Sequence, residues 1–218
     1  MMPTAKEWVK DMFFPKFCVA CQNAEGEWLC EKCFQKIAAP QPFFCLDQTD
    51  ETASDLNGAT ALFNYGENTI SQLIKLLKYN YLTDIADIFA KFIKKEDFNF
   101  NWRGFTIIPV PLHPRRERER GFNQSEIIAK IFAEKLGLEI NIGLRRGVYT
   151  AQQAKLSKEE RQQNLKDAFS FVKEQKTIPE KVLLVDDVFT TGATMRECAK
   201  VLKSNGVKIV CGLVLASG

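Results

Sequence analysis

Asp186 and Asp187 are the adjacent pair best suited to chemistry in this chain. They follow the apolar run Val182-Leu183-Leu184-Val185 and precede Val188, Phe189, Thr190, Thr191, Gly192, Ala193 and Thr194. Ionised carboxylates only accept hydrogen bonds, and the vicinal hydroxyls of a sugar donate them. The five residues from Thr190 to Thr194 offer hydroxyls and backbone N–H groups where a helical pattern starts, which suits a phosphate dianion. Gly192 lets the backbone approach a ligand without a Cβ in the way. Together they imply recognition of a sugar phosphate. Two rival uses of an apolar strand ending in acids fail. A P-loop needs a Gly-Lys dipeptide before its hydroxyl, and none of that kind occurs. A phosphoacceptor domain needs most of its fold after the acids, and only one β-α-β unit remains here.

A second cluster runs from Pro109 to Gln124 and holds Arg115, Arg116, Arg118 and Arg120 before Gly121. Guanidinium forks match phosphate oxygens bidentately. Glu117 and Glu119 interleave, so a solvated charge mixture is the plain alternative. His113 is the only histidine. Between Leu112 and Pro114 it reads as a structural loop residue before it reads as a general base.

Cys18, Cys21, Cys30 and Cys33 form two Cys-x2-Cys pairs, a spacing that wraps one tetrahedral ion. A segment of this size cannot bury enough surface to fold unaided, and structural Zn²⁺ would supply the missing stability. Such a site is closed and does no catalysis. Cys198 and Cys211 read as small buried hydrophobes.

The elements that must position these groups follow from periodicity. Residues 4–14 read as a short amphipathic helix. Ala59 to Tyr65 reads as a strand. Ile70, Leu73, Ile74 and Leu77 give one apolar helix face. A second helix covers Leu82 to Lys94, with Ile85, Ile88, Phe89 and Phe92 inward. Phe105 to Val110 is an apolar strand stopped by prolines. The arginine segment from His113 to Asn123 is expected as a loop. Gln124 to Leu136 is a helix ended by Gly137. Residues 141–165 read as a long polar loop with some helix, and Ala168 to Val172 as a strand. The chain closes with a strand from Lys181 to Val185, a helix from Met195 to Lys203 and a strand from Val207 to Leu215. That order packs as a parallel β-α-β crossover. The carboxyl ends of the strands at Val110 and Val185 should then lie side by side, where such sheets bind ligands.

With 218 residues and 45% hydrophobic composition, one main domain plus a small appendage is expected. A net charge of +3 is too weak to argue for nucleic acid by itself. No apolar stretch suits a membrane span or a secretory leader. A cytoplasmic protein with reduced cysteines, and no membrane insertion, is the expectation. Residues 1–45 are expected as a zinc-ribbon-like segment, 46–58 as a linker, and 59–218 as the main domain.

Residues 182–194 resemble the phosphoribosyl pyrophosphate (PRPP) signature of type I phosphoribosyltransferases. The string from Pro109 through His113, Arg116, Arg118 and Arg120 to Gln124 is similar to the hallmark of one group with that fold, the ComF (competence protein F) family. Leu73 to Tyr79, Gln153 to Leu156, Arg161, Asn164 and Phe169 resemble further family segments. Fuller members carry more cysteine pairs downstream, where this chain has Cys45 alone.

The resemblance implies an α/β fold of the type I phosphoribosyltransferase kind, a mostly parallel sheet flanked by helices, with an N-terminal zinc ribbon. It implies a pyrophosphate loop at residues 112–123 and a flexible hood loop at 147–165 that carries Arg161. Asp186 and Asp187 would be the catalytic pair, and Thr190 to Thr194 would bind PRPP together with Mg²⁺. The implied role is glycosyl transfer from PRPP in DNA uptake or nucleotide metabolism. Single-stranded DNA and other competence proteins are the implied partners. The alternative is a non-catalytic DNA-binding factor that uses the PRPP site for sensing.

Overall fold

The computed structural model describes residues 16–24, 26–37, 39–46, 55–78, 82–98, 101–147, 168–172 and 178–218. The expected helix over residues 4–14, Arg161, and all of the expected hood loop beyond Gly147 lie outside them.

Val182 to Val185 has no polar side chain to offer solvent, and it becomes the centre of a sheet covered on both faces. The strands are β1 (Phe43–Leu46), β2 (Ala59–Asn64), β3 (Phe105–Pro109), β4 (Glu139–Ile140), β7 (Lys181–Phe189) and β8 (Ile209–Ser217), in the order β1-β2-β8-β7-β3-β4. All neighbours are parallel except β1, which pairs antiparallel with β2. A separate antiparallel hairpin joins β5 (Leu144–Arg146) to β6 (Phe169–Phe171).

Alternation along β7 divides the core in two. Leu183 and Val185 face a layer that contains Ile70, Leu73, Phe89, Ile128 and Phe132. These side chains come from α2 (Asn68–Leu76), α3 (Leu82–Phe92) and α5 (Gln124–Leu136), with Leu77 buried just past α2. Val182 and Leu184 face Met195, Cys198, Ala199 and Leu202 of α6 (Ala193–Ser204), together with Leu144 and Phe169 of the hairpin. The apolar helix faces expected at residues 70–77 and 85–92 are therefore the buried ones. Cys198 and Cys211 are buried among apolar neighbours. Gly137 ends α5 in the left-handed conformation, φ 68°, and its N–H donates to the Ala133 carbonyl at 2.9 Å.

The cysteine segment packs on the same layer as α3. Phe34, at the end of α1 (Glu31–Phe34), stacks on Phe92 with ring centroids 4.2 Å apart. Phe43 to Leu46, at the border of the expected ribbon and linker, forms β1. Asn57, at the far end of the expected linker, is tied to Val210 by two hydrogen bonds of 2.7 and 2.9 Å. Among the described residues, no helix is long and apolar enough to cross a membrane.

Three expected elements change, the first being the long loop expected from residue 141, in which Leu144–Arg146 forms strand β5 by pairing with β6. The strand expected to stop at Val185 runs on to Phe189. Its pairing with β3 ends at Pro109–Val185, because the chain beyond carries Pro111, which has no N–H to donate. On the other side β8 still pairs, with Asp186 opposite Val214 and Phe189 opposite Ser217. The acids therefore stand on a rigid strand. The arginine loop contains a helix, α4 (Pro114–Arg120), with no buried residue. An apolar stripe could not announce it, because it has none. It forms from local signals: His113 as N-cap, Pro114 at the first turn, and Gly121 as a left-handed C-cap, φ 82°.

Candidate functional site

The strand ends of β3 and β7 open into one cleft of about 190 Å³. Asp186, Asp187, Ser125, Thr194, Lys78, Arg116, Arg120 and Arg146 are among the residues lining it. Both acids are held by hydrogen bonds on one side. Asp186 Oδ1 accepts from Ser125 Oγ at 2.7 Å and from the Asp187 N–H at 2.9 Å. Asp187 Oδ1 accepts from the Val188 N–H at 2.8 Å, and its Oδ2 lies 3.0 Å from Lys78 Nζ. Asp187 is buried and Asp186 half-buried. Burial first, and the neighbouring Asp187 charge second, push Asp186 up to about 7, against the opposing bonds from Ser125 and the Asp187 N–H.

Ser125 reaches Asp186 because α5 starts beside β3. Asn123 caps α5: its Oδ1 accepts from the Ser125 N–H at 3.1 Å, and its Nδ2 donates to the Val110 carbonyl at 3.1 Å. One side chain thus ties the helix start to the strand end. Val110 N–H in turn donates to the Val185 carbonyl at 2.9 Å. The expected neighbourhood of the two strand ends is what the structure shows.

Helical spacing sorts the arginines. Arg116 and Arg120, four apart and so on one face of α4, line the cleft. Arg120 Nη1 donates to Gln124 Oε1 at 3.0 Å. Arg115 and Arg118 are exposed and do not line it, and Arg115 pairs with Glu119 at 2.8 Å. Gly121 serves as the exposed cap that ends α4. His113 Nδ1 accepts from the Arg115 N–H at 3.1 Å. Burial, then the charges of Arg146 and Arg116, lower its pKa, which keeps that nitrogen free to accept. The structural reading of His113 is the one its geometry supports.

The loop after β7 is shaped by Gly192, which caps α6 in the left-handed conformation, φ 71°. A Cβ there would lie 2.4 Å from Phe189 Cζ, so only glycine fits. The Thr191 carbonyl accepts from Arg196 Nη1 at 2.6 Å, and Thr191 Oγ1 accepts weakly from the Ala193 N–H at 3.4 Å. Thr190 and Thr191 are exposed, at the N-terminus of α6 beside the cleft, and Thr194 lines it.

The four cysteine sulfurs lie within 4.8 Å of one another, with Cys21 Sγ and Cys30 Sγ 3.8 Å apart. Tetrahedral thiolate coordination at the usual metal–sulfur length puts sulfurs about 3.8 Å apart. Burial pushes the Cys18 thiol up, but N–H groups of Cys30, Cys21 and Ala20 outweigh it and hold Cys18 down to about 6. Burial and then the other three sulfurs push Cys33 up to about 12. Four thiolates this close repel one another unless a cation sits among them. The cluster is thus a group that can hold a metal ion. Cys45 lies in β1.

The family profile of the phosphoribosyl transferase domain matches residues 80–218. The chain belongs to that family. Among its relatives are proteins named for competence and for DNA utilization. It is 40% identical to "Competence protein F" of Haemophilus influenzae over 104 residues, 47% of this chain and 45% of that one. It is 31% identical to "Competence protein ComFC" of Streptococcus pneumoniae over 150 residues, 69% of this chain and 64% of that one. "DNA utilization protein YhgH" of Salmonella typhi is 34% identical over 149 residues, 65% of this chain and 64% of that one. The chain thus spans less than two thirds of the length of these relatives.

Seen as a phosphoribosyl transferase domain, the cleft holds residues that sequence reasoning did not assign to it. Lys78, Ser125 and Arg146 come from three separate elements. Lys78 carried a signal, since Leu73 to Tyr79 already resembled a family segment. Arg146 sits in a doublet of arginines before the hood segment, and Ser125 in an ordinary first helical turn. Neither position has a local pattern that marks a site.

Proposed function

We propose that the cleft binds PRPP with Mg²⁺ and that the protein cleaves its C1–diphosphate bond in favour of a nucleophilic acceptor. The observation that carries this is the charge arrangement: two fixed carboxylates facing Lys78, Arg116, Arg120 and Arg146 in one cleft beside a helix N-terminus. A surplus of cations suits a polyanion, and an acid pair suits a diol. PRPP carries both. In this reading Asp186 and Asp187 hold the ribose hydroxyls. The 5′-phosphate takes the backbone N–H groups of residues 190–194, where the α6 dipole adds attraction.

The bond from C1 to the diphosphate oxygen breaks with its electron pair on oxygen. The acceptor lone pair forms the new bond at C1, and the acceptor loses a proton. Arg116 and Arg120 stabilise charge growing on the leaving diphosphate, and the carboxylates stabilise the cationic ribose carbon. The donor set, all carboxylate and phosphate oxygen, fits Mg²⁺, which Asp187 would help to hold and which would neutralise diphosphate charge. Lys78 must then exchange Asp187 for a phosphate oxygen. Arg161, on the expected hood segment, is proposed as a further residue of this site.

The four cysteines fit structural Zn²⁺, which makes residues 1–45 a ribbon-like appendage, joined through residues 46–58 to a phosphoribosyltransferase-like domain at 59–218. Calorimetric titration with PRPP and Mg²⁺ tests the site. Saturable heat is expected from the wild type and none from Asp187→Ala. Absence of heat in the wild type, or equal binding in the variant, refutes it.

A second reading rests on the relatives named for competence and DNA utilization, and on Arg115 and Arg118, which remain outside the cleft. In it the protein acts in DNA uptake in the cytoplasm, with other competence proteins, binds single-stranded DNA on α4, and uses PRPP for sensing. A gel shift with single-stranded DNA that shows no salt dependence, or none lost in Arg115→Ala/Arg118→Ala, removes this reading.

A further inference from the structure

We infer that Arg146 is a phosphate-recognising residue that, with Arg116, reads the diphosphate arm of the ligand and discriminates it from a monophosphate. The inference rests on the PRPP reading of the cleft. Arg146 ends β5, and its backbone partner across the hairpin is Phe169. Its guanidinium lies 5.2 Å from the centre of the Phe169 ring. Leu144 and Phe169 are both buried against the α6 layer, so the hairpin that carries the guanidinium is fixed to the core. The side chain is thus pre-set in the cleft rather than free to swing into solvent.

Its surroundings are wrong for a cation with no ligand. Arg146 Nε is buried and has no hydrogen-bond partner. Among the described residues no carboxylate forms an ion pair with it. Burial, and next the like charge of Arg116, lower its pKa, while the attraction of Asp186 is a smaller influence. A guanidinium keeps its proton under these conditions, so the cost is borne as an unmet donor. Two guanidinium groups from separate elements share the cleft here, and an oxyanion between them satisfies both.

The diphosphate is the arm that fits. In the proposed pose the 5′-phosphate has its own donors, the backbone N–H groups of residues 190–194 at the start of α6. Arg116 belongs to the arginine segment assigned to the diphosphate, and Arg146 shares its charge environment. The more highly charged arm is also the one that gains most from a second fork.

The test titrates inorganic diphosphate, ribose 5-phosphate and PRPP into the wild type, Arg146→Gln and Arg146→Lys. Circular dichroism checks that each variant is folded. Loss of one charge-assisted pair predicts at least about tenfold weaker diphosphate and PRPP binding in Arg146→Gln. Arg146→Lys should lose less, because it keeps the charge without the fork. Ribose 5-phosphate affinity should stay within about twofold of the wild type, less than the loss of any one charge-assisted contact. Unchanged diphosphate binding in folded Arg146→Gln overturns the inference, as does a loss confined to ribose 5-phosphate. Wild-type binding of PRPP with no effect of Arg146→Gln sinks the inference and leaves the PRPP reading. Wild-type binding of diphosphate but not PRPP, lost in Arg146→Gln, sinks the PRPP reading and supports the anion role of Arg146. Binding of neither overturns both.

Discussion

Asp186 shows how one residue can hold a ligand group and still burden the fold. Its pKa is raised from 3.8 to about 7 by burial and by Asp187. The folded protein therefore binds more protons than the unfolded chain between those values. The stability linked to this group is full below the unfolded value, falls as pH rises toward 7, and is flat above it. Asp186→Asn removes that penalty, and Ser125 Oγ still has an oxygen to donate to. The variant is expected to melt higher than wild type at pH 8, by at least about 1 kcal/mol or roughly 2–4 °C. The gain should shrink toward pH 4, and PRPP binding should be lost. Thermal melts across pH check it; a gain that does not depend on pH refutes the assignment. The neighbouring pair of Lys78 and Asp187 is a similar compromise, an internal ion pair where a ligand's charges are expected.

At the scale of elements, α4 is the informative case. It has no apolar face, so tertiary packing does little to hold it, and its caps must. His113→Ala removes the acceptor for the Arg115 N–H, at a cost of about 1 kcal/mol local to this helix. Hydrogen exchange at residues 114–120 should speed up several-fold, with little change in the melting temperature of the whole protein. PRPP affinity should fall because Arg116 and Arg120 are no longer held on one face. If exchange in α4 is unchanged, the cap is not what maintains it. The same element shows why an all-polar helix is hard to read. Alternating Arg and Glu look like a solvated loop when periodicity is the guide, and only Pro114 and Gly121 mark its ends. The acid-bearing strand was under-read for a related reason: polar residues usually close a strand, but pairing to β8 does not depend on side-chain polarity.

For the molecule as a whole, the cysteine cluster and the cleft are on separate parts of one core. Cys18, Cys30 and Cys33 are buried in the same hydrophobic cluster as Leu183 and Val185 of β7. Metal loss should therefore be felt beyond the knuckle. One equivalent of zinc is expected by elemental analysis. Chelation should lower the melting temperature by several degrees and loosen the Phe34–Phe92 stack, with a smaller effect on PRPP affinity measured below the melt. A protein with four reduced thiols, no metal and an unchanged melt would show that the cluster is not a structural centre.

The sequence by itself determined what is local. An apolar run meeting two acids and a hydroxyl-glycine loop, a cysteine spacing, and apolar stripes at helical period are short-range patterns, set by backbone geometry and the need to bury surface. They were enough for the fold class, the acid pair and the cysteine set. Only the tertiary structure decided who else is in the cleft. Ser125 meets Asp186 because α5 begins beside β3, Lys78 meets Asp187 from the end of α2, and Arg146 arrives on a hairpin fixed by Phe169. It also decided that Arg116 and Arg120, but not Arg115 and Arg118, face the site. Contacts between residues far apart in the chain depend on sheet order and helix phase, which no short window of residues contains.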